Sequence, residues 1–283
     1  MTVDVAQELA VFLRGCRERL APAEVGLSRP GRARRTPGLR REEVAELAGV
    51  SVDYVIRLEQ GRGLRPSGEV LEALARALRL TDDEHAYVFD LTRQWTPVRR
   101  QSQPDSSSLA ALVQAVSPLP AMLINHRFDV RAWNPELELL MLNFADVPPE
   151  RRNAMILCTL EPAFFKYYTD RERVIREGIA DLRAAWAAHS DDEELAELVR
   201  MLCAESREFA TLWERRDVKV KSTGRKHLNH PDVGRLTVEY DVLTPLGDTA
   251  QRLIVYRAVD AASQQALDRI AAMVAQGDRA LAG

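Results

Sequence analysis

The chain has little that would place it in a membrane, a secretory pathway or a standard enzyme class. No apolar run reaches the roughly 18 residues that a membrane span requires. Its first ten residues, MTVDVAQELA, lack a basic segment ahead of an apolar one, so no signal peptide is expected. Cysteine is scarce: Cys16, Cys158 and Cys203 stand far apart among 283 residues. An odd, scattered set argues against a disulfide framework and predicts reduced thiols, packed as small hydrophobes, in a cytoplasmic protein. Phosphate loops, GxGxxG, GxSxG and HExxH are all missing. His227 and His230 share an HxxH spacing, but in a run that reads as strand and turn, with no Cys or acid at ligand spacing. Neither a metal nor a catalytic residue is therefore expected, and the chain is not read as an enzyme.

Lysine is absent from the first 104 residues, where 17 Arg face 15 acids, while the remainder carries 22 basic and 27 acidic side chains. The formal net charge of −3 thus hides a weakly basic first part and an acidic second part. Within the first part Arg29, Arg32, Arg34, Arg35, Arg40 and Arg41 follow one another with no intervening acid. Such a cluster suits phosphate contact, for which local charge matters and global charge does not.

That cluster runs into REEVAELAGVSVDYVIRLEQ, residues 41–60. Val44 and Ala48 make an apolar stripe at helical spacing, with the small Ala45 between them where a second helix can cross closely. Gly49 can take the positive φ of a helix C-terminus, Val50 can tuck inward, and Ser51 is a good N-cap. The next helix turns Val55 and Leu58 inward and leaves Val52, Asp53, Tyr54 and Arg57 facing out. These features resemble the Cro/repressor-like, or XRE, helix-turn-helix family, whose members place the second helix of the pair in the DNA major groove. The resemblance implies five helices, with the second and third forming the motif, and supplies a candidate set. Arg57 is the guanine contact, with Asp53 accepting from cytosine or holding Arg57; Val52 and Tyr54 share the outward face. Ser51, Arg34, Arg35, Arg40, Arg41, Arg62 and Arg65 contact the backbone. Glu59 resembles a family glutamate that pairs structurally with a first-helix arginine, here Arg17 or Arg14. The Gly-, Pro- and Arg-rich segment 22–39 reads as an arm over the DNA backbone.

The composition breaks at QWTPVRRQSQPDSSS, residues 94–108, with two Pro and four Ser. The expected organisation is a DNA-binding domain over 1–95, a linker over 96–108 and a second domain over 109–283. In the second domain AMLINHRFDVRAWN reads as two strands around a turn at His126–Arg127, and Asn134-Pro135 opens a helix. Residues 149–214 are helical in pattern. Strand-like runs follow at 218–222, 226–230, 235–243 and 251–258, with a turn signal at Thr223-Gly224, and a last helix spans 263–275. The expected fold is therefore an all-α N-terminal domain followed by an α+β domain with an antiparallel sheet.

Almost end to end, the chain resembles the MmyB-like transcriptional regulators. GLRREEVAELAGVSVDYVIRLEQGRGLRPS carries the likeness in the first part; DVRAWNP, PPERRNAM, SREFATLWERRDV and HPDVGRLTVEYDVL carry it in the second. It implies a PAS-like C-terminal sensor with which fatty-acid-like ligands are associated. Many relatives have an aromatic where this chain has Leu228. Candidates for lining an apolar cavity are Trp133, Phe164, Phe165, Tyr167, Tyr168, Trp186, Phe209, Trp213 and Tyr240, with Asn134, Arg225, His227 and His230 as polar groups for a ligand head. The function implied is a ligand-responsive regulator binding double-stranded DNA as a homodimer. The alternative is a constitutive DNA-binding protein whose second domain serves dimerisation or a protein partner. No cofactor beyond such an apolar ligand is expected.

Overall fold

The computed structural model describes residues 5–27, 38–62, 65–93, 106–165, 167–220, 222–246 and 248–281. The chain forms two units, Met1–Arg99 with Trp186–Ala196, and Arg100–Ala185 with Glu197–Gly283. Among the described residues no helix is long and apolar enough to cross a membrane.

The first unit contains α1 (Val5–Arg19), α2 (Arg41–Ala48), α3 (Val52–Glu59), α4 (Gly68–Ala77) and α5 (Asp82–Arg93). Each boundary follows from local chemistry. Pro22 opens a 3-10 turn after α1. Gly49 ends α2 at φ 67°, in the left-handed region that a side chain would disfavour. Ser51 Oγ accepts from Tyr54 N at 3.1 Å and starts α3. Thr81 and Glu84 satisfy one another's backbone N–H groups at 3.3 and 3.0 Å, a reciprocal cap at the start of α5. The inward stripes meet in one core: Leu9, Phe12, Val44, Ala45, Val55, Leu58, Leu71, Leu74 and Leu91 are all buried. Burying each of the larger side chains contributes about 1.5–3 kcal/mol.

The second unit opens with α6 (Ser106–Ala115), β1 (Ala121–Asn125), β2 (Val130–Trp133) and α7 (Pro135–Leu140). The helices α8 (Ala154–Leu160), α9 (Pro162–Phe165), α10 (Arg171–Ala188), α11 (Glu193–Glu205) and α12 (Arg207–Glu214) follow. β3 (Thr223–His230), β4 (Gly234–Leu243), β5 (Gln251–Ala258) and α13 (Ala261–Leu281) complete it. The strands form one sheet in the order β2-β1-β5-β4-β3, with every pairing antiparallel. This is the α+β, PAS-like architecture the resemblance implies. Residues 106–108, expected in the linker, instead open α6, and 186–196, expected in the second domain, group with the first unit.

Period-2 alternation sorts the sheet into two faces. One face carries Ala121, Leu123, Leu253 and Val255, which pack against Val113 of α6. On β3, β4 and the end of β5 the same face is charged, with cross-strand pairs Arg225–Glu239 at 3.7 Å and Arg257–Asp241 at 2.7 Å. The opposite face is buried through Leu228, Leu236, Val238, Tyr240, Ile254 and Tyr256. Arg252, on that buried face, pairs with Asp181 of α10 at 2.8 Å. The outer edge of β3 is covered by residues 167–169: Thr169 N donates to His227 O at 3.0 Å and Asn229 N to Tyr167 O at 2.9 Å.

One strand expectation fails. No strand forms at the described residues of 218–222, and the Thr223-Gly224 pair is the start of β3 rather than a turn. The reason is a contact distant in sequence. A Cβ on Gly224 would stand 2.5 Å from Tyr240 Oη, so the glycine admits a neighbouring ring within a regular strand.

Candidate DNA-reading helix and ligand domain

α3 is fixed from below and open above. Val55 and Leu58 are buried, whereas Ser51, Val52, Asp53 and Arg57 are exposed and Tyr54 is half-buried. Burial pushes the Tyr54 phenol up, so its hydroxyl stays protonated. Among the described residues the Arg57 side chain has no ion-pair partner, and Arg62 is also exposed in the turn that follows. The helix is anchored at its far end by Glu59, which is only 4% exposed. Glu59 Oε1 accepts from Arg17 Nε at 2.6 Å, and Oε2 accepts from Arg17 Nη2 at 3.2 Å and Arg41 Nε at 2.7 Å. Arg14 Nη2 adds a bond to the Glu59 carbonyl at 2.9 Å. The expected structural pair is therefore present, with Arg17 as the buried partner and Arg14 beside it. Arg41, expected as a free phosphate contact, is instead tethered through Nε to the glutamate that holds α3. Arg40 caps α2 through its backbone N–H, which donates to Glu43 Oε2 at 2.7 Å. Arg34 and Arg35 lie outside the described residues.

The ligand candidates do not converge on one site. Trp133 is half-buried, 5.2 Å from the Phe144 ring, with Arg152 over it, and its Nε1 donates to Glu138 at 3.2 Å. Phe209 and Trp213 stack on one another at 5.7 Å, with the Arg183 guanidinium over the indole. Trp186 falls in the segment that groups with the first unit. Phe164, by contrast, packs 6.2 Å from Tyr168, which leads to the Tyr240 region described below.

Two polar candidates are spent on the fold itself. Asn134 Oδ1 accepts from Ala121 N at 2.9 Å and Leu137 N at 3.2 Å, and its Nδ2 donates to Leu119 O at 2.8 Å. It is fully buried, joining β1 to the cap of α7, with both its oxygen and its nitrogen engaged by backbone groups. His230 is equally committed. Its Nε2 lies 2.8 Å from Leu139 O, and its Nδ1 accepts from Asp232 N at 3.1 Å and Val233 N at 3.3 Å. That pattern assigns the proton to Nε2 and makes the ring a clamp between the β3–β4 turn and α7. Arg225 and His227 lie on the opposite, exposed face, where His227 Nδ1 meets Thr237 Oγ1 at 2.9 Å. The two histidines of HxxH therefore face opposite sides of β3 and cannot share an ion. A cleft of about 380 Å³ is lined by His227 with Leu228, Arg235, Leu236, Thr237 and Asp260, a mixed polar and apolar wall that includes none of the aromatic candidates.

Sequence reasoning missed a residue beside Tyr240. Lys226 Nζ lies 5.4 Å from the Tyr168 ring, 5.4 Å from Tyr240 and 5.2 Å from Tyr256, and donates to Tyr256 Oη at 3.2 Å. All three rings are buried. A signal for it existed: with Leu228 and His230 turned inward, alternation puts Lys226 on the same face.

Comparison with known families finds two matches along the chain. Residues 8–88 match the model of a helix-turn-helix domain, and residues 106–270 match that of the MmyB-like transcription regulator ligand binding domain. No curated protein matches the chain. Both matched families are regulator domains, one for DNA and one for a small-molecule ligand. With more than half its length in the second match, the chain belongs to the MmyB-like transcription regulators, built as a helix-turn-helix domain followed by the family's ligand-binding domain.

Proposed function

We propose that this protein is a ligand-responsive transcriptional regulator of the cytoplasm, without catalytic activity of its own. Its first unit binds an operator as one half of a homodimer, and its second senses a small, fatty-acid-like apolar molecule. One observation carries the reading: α3 presents Val52, Asp53, Tyr54 and Arg57 to solvent while a buried ion-pair cluster fixes its base. A base-reading helix needs that combination of rigidity and exposed donors.

In this reading Arg57 forks onto guanine O6 and N7, Asp53 accepts from cytosine or steadies Arg57, and Val52 supplies an apolar contact to a thymine methyl. Ser51, Arg40, Arg62 and the arm residues Arg34 and Arg35 hold the phosphates, and Arg41 reaches them only with the nitrogens that Glu59 leaves free. Two protomers place their α3 helices about 34 Å apart, one turn of the duplex. The ligand acts only if it binds one dimer geometry better than the other, since equal affinity shifts nothing.

Native mass spectrometry of the full chain tests the sensing half. The expected result is a dimer carrying a co-purifying apolar molecule that is lost on denaturation. A ligand-free dimer whose DNA affinity is unmoved by added lipid extracts would sink it and leave a constitutive regulator with a dimerising second domain.

A further inference from the structure

The cleft of about 380 Å³ lies where β3 and β4 meet the start of α13, and its wall carries two opposite charges that do not neutralise one another. Arg235 is exposed on β4 and makes no hydrogen bond or ion pair to any described residue. Asp260 immediately precedes α13, and its Oδ1 accepts from Ser263 N at 2.7 Å. That bond holds the Asp260 carboxyl below its usual range, so it is ionised at neutral pH. No ion pair joins Asp260 to Arg235 or to any other described cation. Two further groups of the wall have bonding capacity to spare. Ser263 is 3% exposed and its Oγ accepts from Thr237 N at 2.9 Å, which leaves the hydroxyl proton for another acceptor. His227 meets Thr237 Oγ1 through Nδ1, which leaves Nε2. The volume is at the small end of the range for ligand sites, roughly 300–1,000 Å³. A purely anionic ligand would face the Asp260 carboxylate, and a purely cationic one the Arg235 guanidinium. A neutral ligand would leave both charges unmatched.

We propose that this cleft binds a small zwitterion, a free α-amino acid, with its carboxylate on Arg235 and its ammonium on Asp260. The planar guanidinium fork suits a carboxylate, which accepts two parallel N–H bonds from it. Asp260 Oδ2 is the oxygen that the Ser263 backbone leaves for the ammonium. An amino acid held in this way ties β4 to the first turn of α13. Both charged groups are exposed, so water screens the attraction and affinity is roughly millimolar. The proposal does not rest on the sensing of an apolar molecule, which would use other residues of the same unit.

The test uses the full-length protein at about pH 7 and low salt, screened by ligand-observed NMR against each of the twenty L-amino acids at about 10 mM. The tightest binder is then titrated beside its α-amide, which lacks the negative charge, and its α-hydroxy acid, which lacks the positive one. The wild type should prefer the amino acid to each analogue by about fivefold. Arg235→Gln should erase the preference over the amide alone, and Asp260→Asn the preference over the hydroxy acid alone. Arg235 is exposed, and asparagine starts a helix as well as aspartate does, so both variants should fold. If Asp260→Asn does not fold, Asp260→Ser, which also caps, replaces it; Arg235→Met likewise replaces Arg235→Gln. The proposal is overturned if no amino acid binds, if either analogue binds as tightly as the amino acid, or if either substitution leaves its selectivity in place. None of those results bears on the apolar-sensor reading, which native mass spectrometry decides separately.

Discussion

Glu59→Gln is the substitution on which the first unit depends most. The glutamate is 4% exposed and gathers Arg17, Arg41 and Arg14 from two other helices. Neutralising it leaves the Arg17 guanidinium, with a side chain only 7% exposed, facing an amide in place of a carboxylate. Removing one partner of a buried pair destabilises by about 3–5 kcal/mol, because the other charge stays buried without compensation. An exposed pair would lose no more than about 1 kcal/mol, so burial decides the size of the effect. For a domain of this size each 1 kcal/mol moves the melting temperature by about 4–8 °C, so the unit should melt more than about 12 °C lower. Thermal denaturation followed by circular dichroism reads it directly. The double variant Arg17→Met/Glu59→Met should recover much of the loss, since apolar replacement of both partners removes the stranded charge. If Glu59→Gln melts within about 3 °C of wild type, less than the effect of 1 kcal/mol, the cluster does not hold α3 and the reasoning fails.

Two further predictions concern local environments. Gly224→Ala should destabilise the second unit by about 1–3 kcal/mol, the usual range for forcing extra volume into a packed site. The added Cβ meets the Tyr240 hydroxyl at 2.5 Å and its ring at 2.8 Å, which outweighs the 0.5–1 kcal/mol or so that alanine normally gains over glycine in a strand. A urea midpoint equal to or above wild type would show that no such contact exists. Burial pushes the Cys16 thiol up to about 12, so at pH 8 almost no thiolate is present to react. Ellman's reagent should therefore label Cys16 only after denaturant is added, and prompt labelling of the native protein would contradict its placement in the core.

The parts of the fold that were legible in the sequence are those specified by short-range chemistry. Gly49, Ser51 and the spacing of Val44, Ala45, Val55 and Leu58 are local constraints of different kinds, and together they define two helices and the turn between them. The same holds for the Thr81–Glu84 cap and for β5, whose apolar run is bounded by turns. Where a residue's purpose lies across the sheet, the sequence misleads. Gly224 looks like a turn glycine until Tyr240 is seen against it. Asn134 and His230 look like polar groups awaiting a ligand, yet their hydrogen-bonding atoms are consumed by backbone partners brought in by the fold. Lys226 is the reverse case: an apparently ordinary strand lysine whose three tyrosine neighbours are supplied by β4, β5 and the segment after α9.

The claim that α3 reads DNA is tested most directly by Arg57→Ala. Sites would be selected from a random duplex pool by the wild-type protein, and both proteins would then be titrated against the selected site and against unselected DNA at one fixed salt concentration. The account predicts a loss of about 1–3 kcal/mol on the selected site, relaxed preference at one base position, and no change on unselected DNA. Affinities for both DNAs equal to those of the wild type would mean that this helix does not lie in the groove.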